Sequence, residues 1–298
     1  MRYRFTSARF TGGVAAMAVV AAVTLSVMPT AGQAPAAGQG RAGGQGGRGA
    51  AAPAQGRGAA TPRPARIAGR PNLNGIWQSN NNSAHWNLED HSASATPFWQ
   101  LGAMFAIPAG QSIIDGGTIP YLPAAIKKRQ ENMAGWPKSD PEAKCYMPGV
   151  PRAHYMPYPF QIVQGQKDIL FVYEYASANR IVHMSNPTES PVDSWMGWSN
   201  GKWEGDTLVI DVSGNNDQTW FDRSGNHHTE QLKVTERFTL QGDNTLMYSA
   251  TMEDPGTFSR PWTIRLPIHR RTETNVQLLE FKCVEFSEEL LYGDLKKK

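Results

Sequence analysis

The chain of 298 residues has no acidic side chain before Glu89 and only two cysteines. It also lacks a glycine-rich phosphate cradle, a dinucleotide fingerprint, a nucleophile elbow, an HExxH motif and clustered cysteines. These gaps exclude the common nucleotide-dependent, α/β-hydrolase and zinc-protease chemistries, and no cofactor or metal is expected. The missing acids also divide the charge. Nine of the 29 basic residues precede Pro71, so the remaining 20 face 26 acidic ones, a balance of −6 against +3 for the whole chain. A nucleic-acid-binding domain needs a basic surface to neutralise phosphates, so nucleic acid is not an expected partner. Neutral or cationic ligands suit such a domain better.

The early positive charge has its own logic. Arg2, Arg4 and Arg9 precede an apolar run from Val14 to Met28, with small residues up to Ala37. This is the pattern of a signal peptide over residues 1–36, with Ala34-Pro35-Ala36 as a cleavage site and a periplasmic or secreted destination. At about 1.5 Å per residue the run falls short of a roughly 30 Å hydrocarbon core, so no stable membrane insertion is expected. Apart from Thr61 and Ile67, residues 37–70 are Gly, Ala, Gln, Arg and Pro, too poor in apolar surface to offset their ordering entropy. They read as a flexible cationic linker, either a simple spacer or an arm in weak contact with an anionic envelope. In an oxidising compartment Cys145 and Cys283 are expected to pair, the alternative being two separate buried thiols.

Residues 71–298 read as a single β-rich domain. Apolar residues alternate at Ile169, Phe171 and Tyr173, at Leu208, Ile210 and Val212, and from Leu232 to Leu240. The same period of two runs through Leu246–Met252, Trp262–Ile268 and Leu279–Cys283. Asn200-Gly201, Glu204-Gly205-Asp206, Gly242-Asp243-Asn244 and Asp254-Pro255-Gly256 favour tight reversals between strands. Short links imply an all-β, mainly antiparallel meander sheet, closed or nearly closed into a barrel. Residues 71–144 are less regular and read as an N-terminal wrap, with a strand over Leu73–Gln78 and a short helix over Ala124–Asn132.

Two resemblances follow from particular residues. Asn74-Gly75-Ile76-Trp77 resembles the first strand of lipocalin-type barrels, where the Trp plugs the closed end, although a simple core Trp explains it too. The runs Lys144-Cys145-Tyr146-Met147-Pro148-Gly149-Val150-Pro151-Arg152, Tyr158-Pro159-Phe160-Gln161-Ile162-Val163-Gln164, Trp203-Glu204-Gly205-Asp206-Thr207-Leu208-Val209-Ile210-Asp211, Asp217-Gln218-Thr219-Trp220 and Glu236-Arg237-Phe238 together resemble a family of secreted or periplasmic β-rich bacterial proteins. That resemblance implies export and one domain. It implies no reaction.

The densest reactive stretch is Asp217 to Glu230, with Asp222, His227 and His228 between them. Histidine beside carboxylates supplies an acid–base pair whose pKa values an environment can separate. The alternative is a long hairpin loop whose Asp222 and Asn226 hold turns while the histidines face water. His228 and Glu230 stand two apart and would share a strand face if the strand began there. Glu236 falls between Val234 and Phe238 on the apolar face, where an unpaired carboxylate would cost several kcal/mol. It needs a partner such as Arg180, or a wet cavity and a raised pKa. Cys145 to Phe160, with Arg152, His154, Tyr155 and Tyr158 between prolines, suits a binding-site lid or wall, or a crossover packed over the barrel end. Trp195, Trp198 and Trp220 could stack on a ring-shaped ligand or serve as core and rim.

Three functions remain open. The first is an exported barrel binding a small neutral, aromatic or sugar-like molecule. The second is a cofactor-free hydrolase, lyase or isomerase. It would use His228 as acid or base, Asp217 or Asp222 to orient it, Glu230 or Glu236 as second carboxylate, and Arg180 or Arg152 to stabilise negative charge. The third is an envelope interaction protein.

Overall fold

Alternating burial builds the sheet. The computed structural model describes residues 65–96, 100–101 and 106–295, so the expected signal peptide and the linker up to residue 64 lie outside the described residues. In chain order the elements are β1 (Arg66–Ile67), β2 (Arg70–Pro71), β3 (Gly75–Gln78), α1 (Asn82–Trp86), β4 (Ser94–Ala95), β5 (Ala106–Ile107) and α2 (Pro123–Ala134). The larger strands are β6 (Phe160–Gln164), β7 (Asp168–Tyr173), β8 (Asn179–His183), β9 (Trp198–Glu204), β10 (Thr207–Ser213), β11 (Lys233–Gln241), β12 (Thr245–Glu253) and β13 (Trp262–Arg270), followed by α3 (Ser287–Tyr292). Along β12, Leu246, Tyr248, Ala250 and Met252 are buried while their neighbours are half-exposed, and β13 repeats this with Trp262, Ile264, Leu266 and Ile268. Such a pattern has one dry and one wet face.

Nine strands, β3 and β6 to β13, close into a barrel in chain order, sealed by pairing of β13 with β3. The fold is thus mostly β, with few and short helices. It departs from a pure meander in one place. β8 and β9 run parallel. An odd number of strands cannot alternate in direction all the way round a closed ring, so one neighbouring pair must be parallel. The segment 184–197 makes the required crossover, about as long as parallel pairing demands. Asn200-Gly201, expected to turn the chain, lies inside β9 instead. A Cβ at Gly201 would strike Met184 and Val182, so the glycine lets β9 approach β8. The reversals at Gly205 and Gly242 form as expected, both with positive φ.

The strand expected over Leu279–Cys283 is absent. The β3–β13 seam leaves no free edge for it to join, and the segment after β13 runs back along the outside of the barrel. Cys283 there bonds Cys145, with Cα atoms 5.7 Å apart and a sequence separation of 138. Among the described residues, regular structure also precedes Pro71. β1 and β2 form a hairpin in which Arg66 pairs with Asp206 at 2.5 Å and Arg70 donates to the Gly205 carbonyl at 2.8 Å.

Trp77 on β3 is fully buried, donates from Nε1 to the Leu73 carbonyl at 2.8 Å, and lies under the Arg270 guanidinium at 3.9 Å. A side chain at Gly75 would collide with that guanidinium. The helix expected over Ala124–Asn132 is α2. Pro123 opens it with a preset φ, good helix formers fill it, and Gly135 caps it.

The two ends of the barrel differ. One carries the tight turns β6–β7, β9–β10 and β11–β12. The other receives residues 79–159, the link 214–232 between β10 and β11, and the link 254–261 between β12 and β13. Asp254 ties the last two together, accepting from Thr229 N at 2.6 Å, Thr229 Oγ1 at 2.8 Å and Thr257 Oγ1 at 2.8 Å. Most of the irregular structure gathers at this loop end.

Candidate functional site

The barrel lumen is occupied by the protein itself. The proline-stiffened run after Cys145 makes a 3-10 turn at Arg152–His154 and enters the barrel; Arg152, His154, Tyr155 and Met156 are all buried. The His154 ring sits among Phe160, Phe171, Tyr173, Phe238 and Tyr248, with centroids 4.8 to 5.8 Å away. The segment is a plug, the packed version of the two arrangements its composition allowed.

Glu236 points inward from β11 and is fully buried. Arg180 Nη2 meets its Oε2 at 2.7 Å, Tyr248 donates to its Oε1 at 2.6 Å, and His154 Nδ1 lies 3.2 Å from the same oxygen. Burial pushes the carboxyl up, but the Arg180 charge, with the His154 and Tyr248 contacts, pulls harder and holds it at about 2. A raised pKa at this inward position is therefore corrected to a lowered one, because the carboxylate is paired. Burial lowers the His154 pKa and keeps the ring neutral. The ionised carboxylate only accepts, so Nδ1 carries the proton and Nε2 receives the Tyr173 hydroxyl at 3.0 Å. The cluster neutralises itself and leaves little room for a guest.

The open space lies outside, at the loop end. A cleft of about 540 Å³ is bounded by α2, by the run 138–146 and by the 217–229 loop. His228 and Trp220 form its wall, and both are buried. A carbonyl can only accept, so the 2.9 Å contact of His228 Nδ1 with the Thr229 carbonyl places the proton on Nδ1. Burial lowers the His228 pKa, so Nε2 is bare and accepts from the Thr219 hydroxyl at 2.6 Å. His227 stacks on Tyr121 with centroids 5.7 Å apart, and burial brings its pKa down to about 4. Tyr146 closes the mouth and rests on Trp195 at 4.8 Å.

Across the run 136–146 is a second cleft of about 240 Å³, lined by Tyr158, Tyr175, Phe281 and Arg223. Glu142 is its hub. Arg152 Nη2 at 2.6 Å, Arg223 at 2.9 Å and His85 Nε2 at 3.2 Å converge on it, and Arg152 also reaches Asp140 at 3.3 Å. Burial raises the Glu142 pKa, yet Arg223, His85 and Arg152 together bring it well below the usual carboxylate range. The run is thus a partition: Asp140 and Glu142 face one cleft, Lys138 and Lys144 the other.

Of the residues singled out by sequence, the first cleft gathers Asp217, Trp220 and His228, with Trp195 behind Tyr146. Asp217 is exposed at the rim. Asp222 is fully buried behind the wall, accepting from Leu88 N at 2.9 Å and Asn226 Nδ2 at 2.6 Å. Burial raises its pKa to about 6, against the opposing Asn226 hydrogen bond. Glu230 is exposed and precedes β11, which begins at Lys233, so it shares no strand face with His228. The histidines of this loop are buried, not solvated. Glu236, Arg180 and His154 belong to the lumen, Tyr155 joins plug to loop through Phe221 O at 2.7 Å, and Trp198 stacks on His183 at 4.4 Å. Tyr158 and Arg152 belong to the Glu142 side.

Sequence reasoning missed Glu142, Tyr248, Lys128, Lys138 and Lys144. Lys128 falls within the expected helix and Lys144 opens the Cys145 run, but neither these positions nor that of Lys138 carried a binding signal. Among the described residues no group of three or more His, Cys, Asp or Glu is placed to hold a metal ion, and no helix is long and apolar enough to cross a membrane. Comparison with protein-family models and with curated proteins finds no match to this chain.

Proposed function

We propose that this is an exported β-barrel that binds a small ring-bearing molecule, aromatic or sugar-like, in the cleft at the loop end rather than in the lumen. The observation that carries the reading is the contrast in occupancy. The plug and the Glu236 cluster fill the lumen, whereas the 540 Å³ cleft offers Trp220 and Tyr146 for stacking and histidine, Asn and Thr groups for hydrogen bonds. The Cys145–Cys283 bond supports an oxidising compartment, in line with the leader's pattern. The test is mass spectrometry of small molecules retained by protein purified from its own periplasm, with tryptophan fluorescence on re-addition. The expected result is an intact ligand whose binding is lost in Trp220→Ala while cooperative unfolding persists. A ligand still bound by that variant would place the site elsewhere.

The Thr219–His228 contact favours a second reading, acid–base catalysis in the same cleft. His228 would be the base, oriented by the Thr229 carbonyl and not by either aspartate. Chemical conversion of the retained molecule, lost in His228→Gln, would establish it; recovery unchanged argues for binding alone.

A further inference from the structure

The charge around the cleft is opposite in sign to that of the domain. From Pro71 onward the chain carries 20 basic and 26 acidic residues. Yet the cleft is lined by Lys128, Lys138 and Lys144 with only Asp217 against them, a local excess of two positive charges with the histidines neutral. The buried arginines are used differently. Arg152, Arg180 and Arg223 each have carboxylate partners within 3.3 Å. Among the described residues no ion pair involves Lys128, Lys138 or Lys144, although Lys144 is half-buried. Lys128 stands near enough to His227 to help lower its pKa, so its charge is felt at the wall.

These positions are complementary. α2 supplies Lys128, and the run after it supplies Lys138 and Lys144, on one side of the opening. Trp220 on the opposing loop adds an aromatic residue to the lining, and Asn132 and Ser139 add hydrogen-bonding groups. A cation cluster left without internal partners over an aromatic wall is what a ligand with an anionic head and an apolar body would meet. A neutral sugar would leave the lysines idle. An extended polyanion would be repelled by the acidic surface beyond the cleft.

We propose that the cleft takes a small organic anion, a ring or hydrocarbon body bearing a carboxylate, with the carboxylate among Lys128, Lys138 and Lys144 and the body on Trp220. This rests on the reading of the cleft as the ligand site and narrows the ligand to one charge class.

The test compares benzoate with its uncharged counterpart benzamide, using tryptophan fluorescence of the full exported chain. Benzoate is expected to bind saturably and at least about tenfold more tightly than benzamide, the scale of one charge-assisted contact. The preference should weaken with salt and vanish in Lys138→Gln/Lys144→Gln, whose melting temperature stays that of the parent. Equal binding of the two probes overturns the charge assignment and leaves the cleft as a ligand site. Silence of benzoate overturns the charge assignment as well. The site itself falls with it only if protein purified from the periplasm also carries no small molecule.

Discussion

The lumen and the cleft each hold a buried, neutral histidine, and they use it in opposite ways. His154 is ringed by five aromatic side chains and shares a carboxylate with Arg180 and Tyr248. His228 faces a cleft and holds only a threonine hydroxyl and a backbone carbonyl. In the lumen every charge has a counter-charge, and the space is closed. Around the cleft the lysines lack one, and the space is open. A carboxylate pointing into a barrel therefore need not mark a ligand site; what matters is whether the protein has already answered it.

The sharpest way to break this contrast is to remove the answer. Glu236→Ala leaves the Arg180 charge buried without its partner and is expected to cost about 3–5 kcal/mol in denaturant unfolding, while the double change Glu236→Leu/Arg180→Met recovers most of it. Cys145→Ser/Cys283→Ser should cost about 2–5 kcal/mol by chain entropy over the closed loop, read by the same unfolding curves under non-reducing conditions. It acts outside the barrel, so the lumen cluster should survive, seen as an unchanged near-ultraviolet spectrum in the folded state.

The third prediction concerns pH, where two buried carboxylates oppose each other. Glu236 lies below its ordinary 4.5, at about 2, so its stabilisation is complete above pH 4.5 and is lost as pH falls through 2. Asp222 lies above its ordinary 3.8, at about 6, so its contribution is complete below pH 3.8 and is lost as pH rises through 6. Each is worth on the order of 3 kcal/mol. Asp222→Asn should flatten the decline between pH 4 and 6 in unfolding measurements, and Glu236→Gln the decline below pH 4. The smallest effect belongs to the rim: Lys138→Gln should change stability by less than about 0.5 kcal/mol, and a larger loss would show that the lysine is structural.

Much of the barrel was legible in the sequence. Period-two runs such as Leu246–Met252 marked inward faces, and the inward position of Glu236 required a partner that Arg180 provides. Two strand-level expectations failed for physical reasons outside any local pattern. Gly201 serves close strand approach instead of a turn, and Leu279–Cys283 found the ring already sealed. The cleft was half legible. Trp220 and His228 stood out because they lie in one dense polar loop. The lysines opposite them come from the irregular N-terminal wrap and its one short helix, and reach the site only through tertiary contacts such as Asn132 Nδ2 to the Gly225 carbonyl at 3.2 Å.

The placing of the one parallel pair at β8–β9, away from the seam, has a directional consequence. Because β3 starts, and β13 ends, at the tight-turn end, the hairpin of β1 and β2 is fastened there, on Gly205 and Asp206. Ala65 and the hairpin it leads into thus stand at the tight-turn end, opposite the end that carries the cleft.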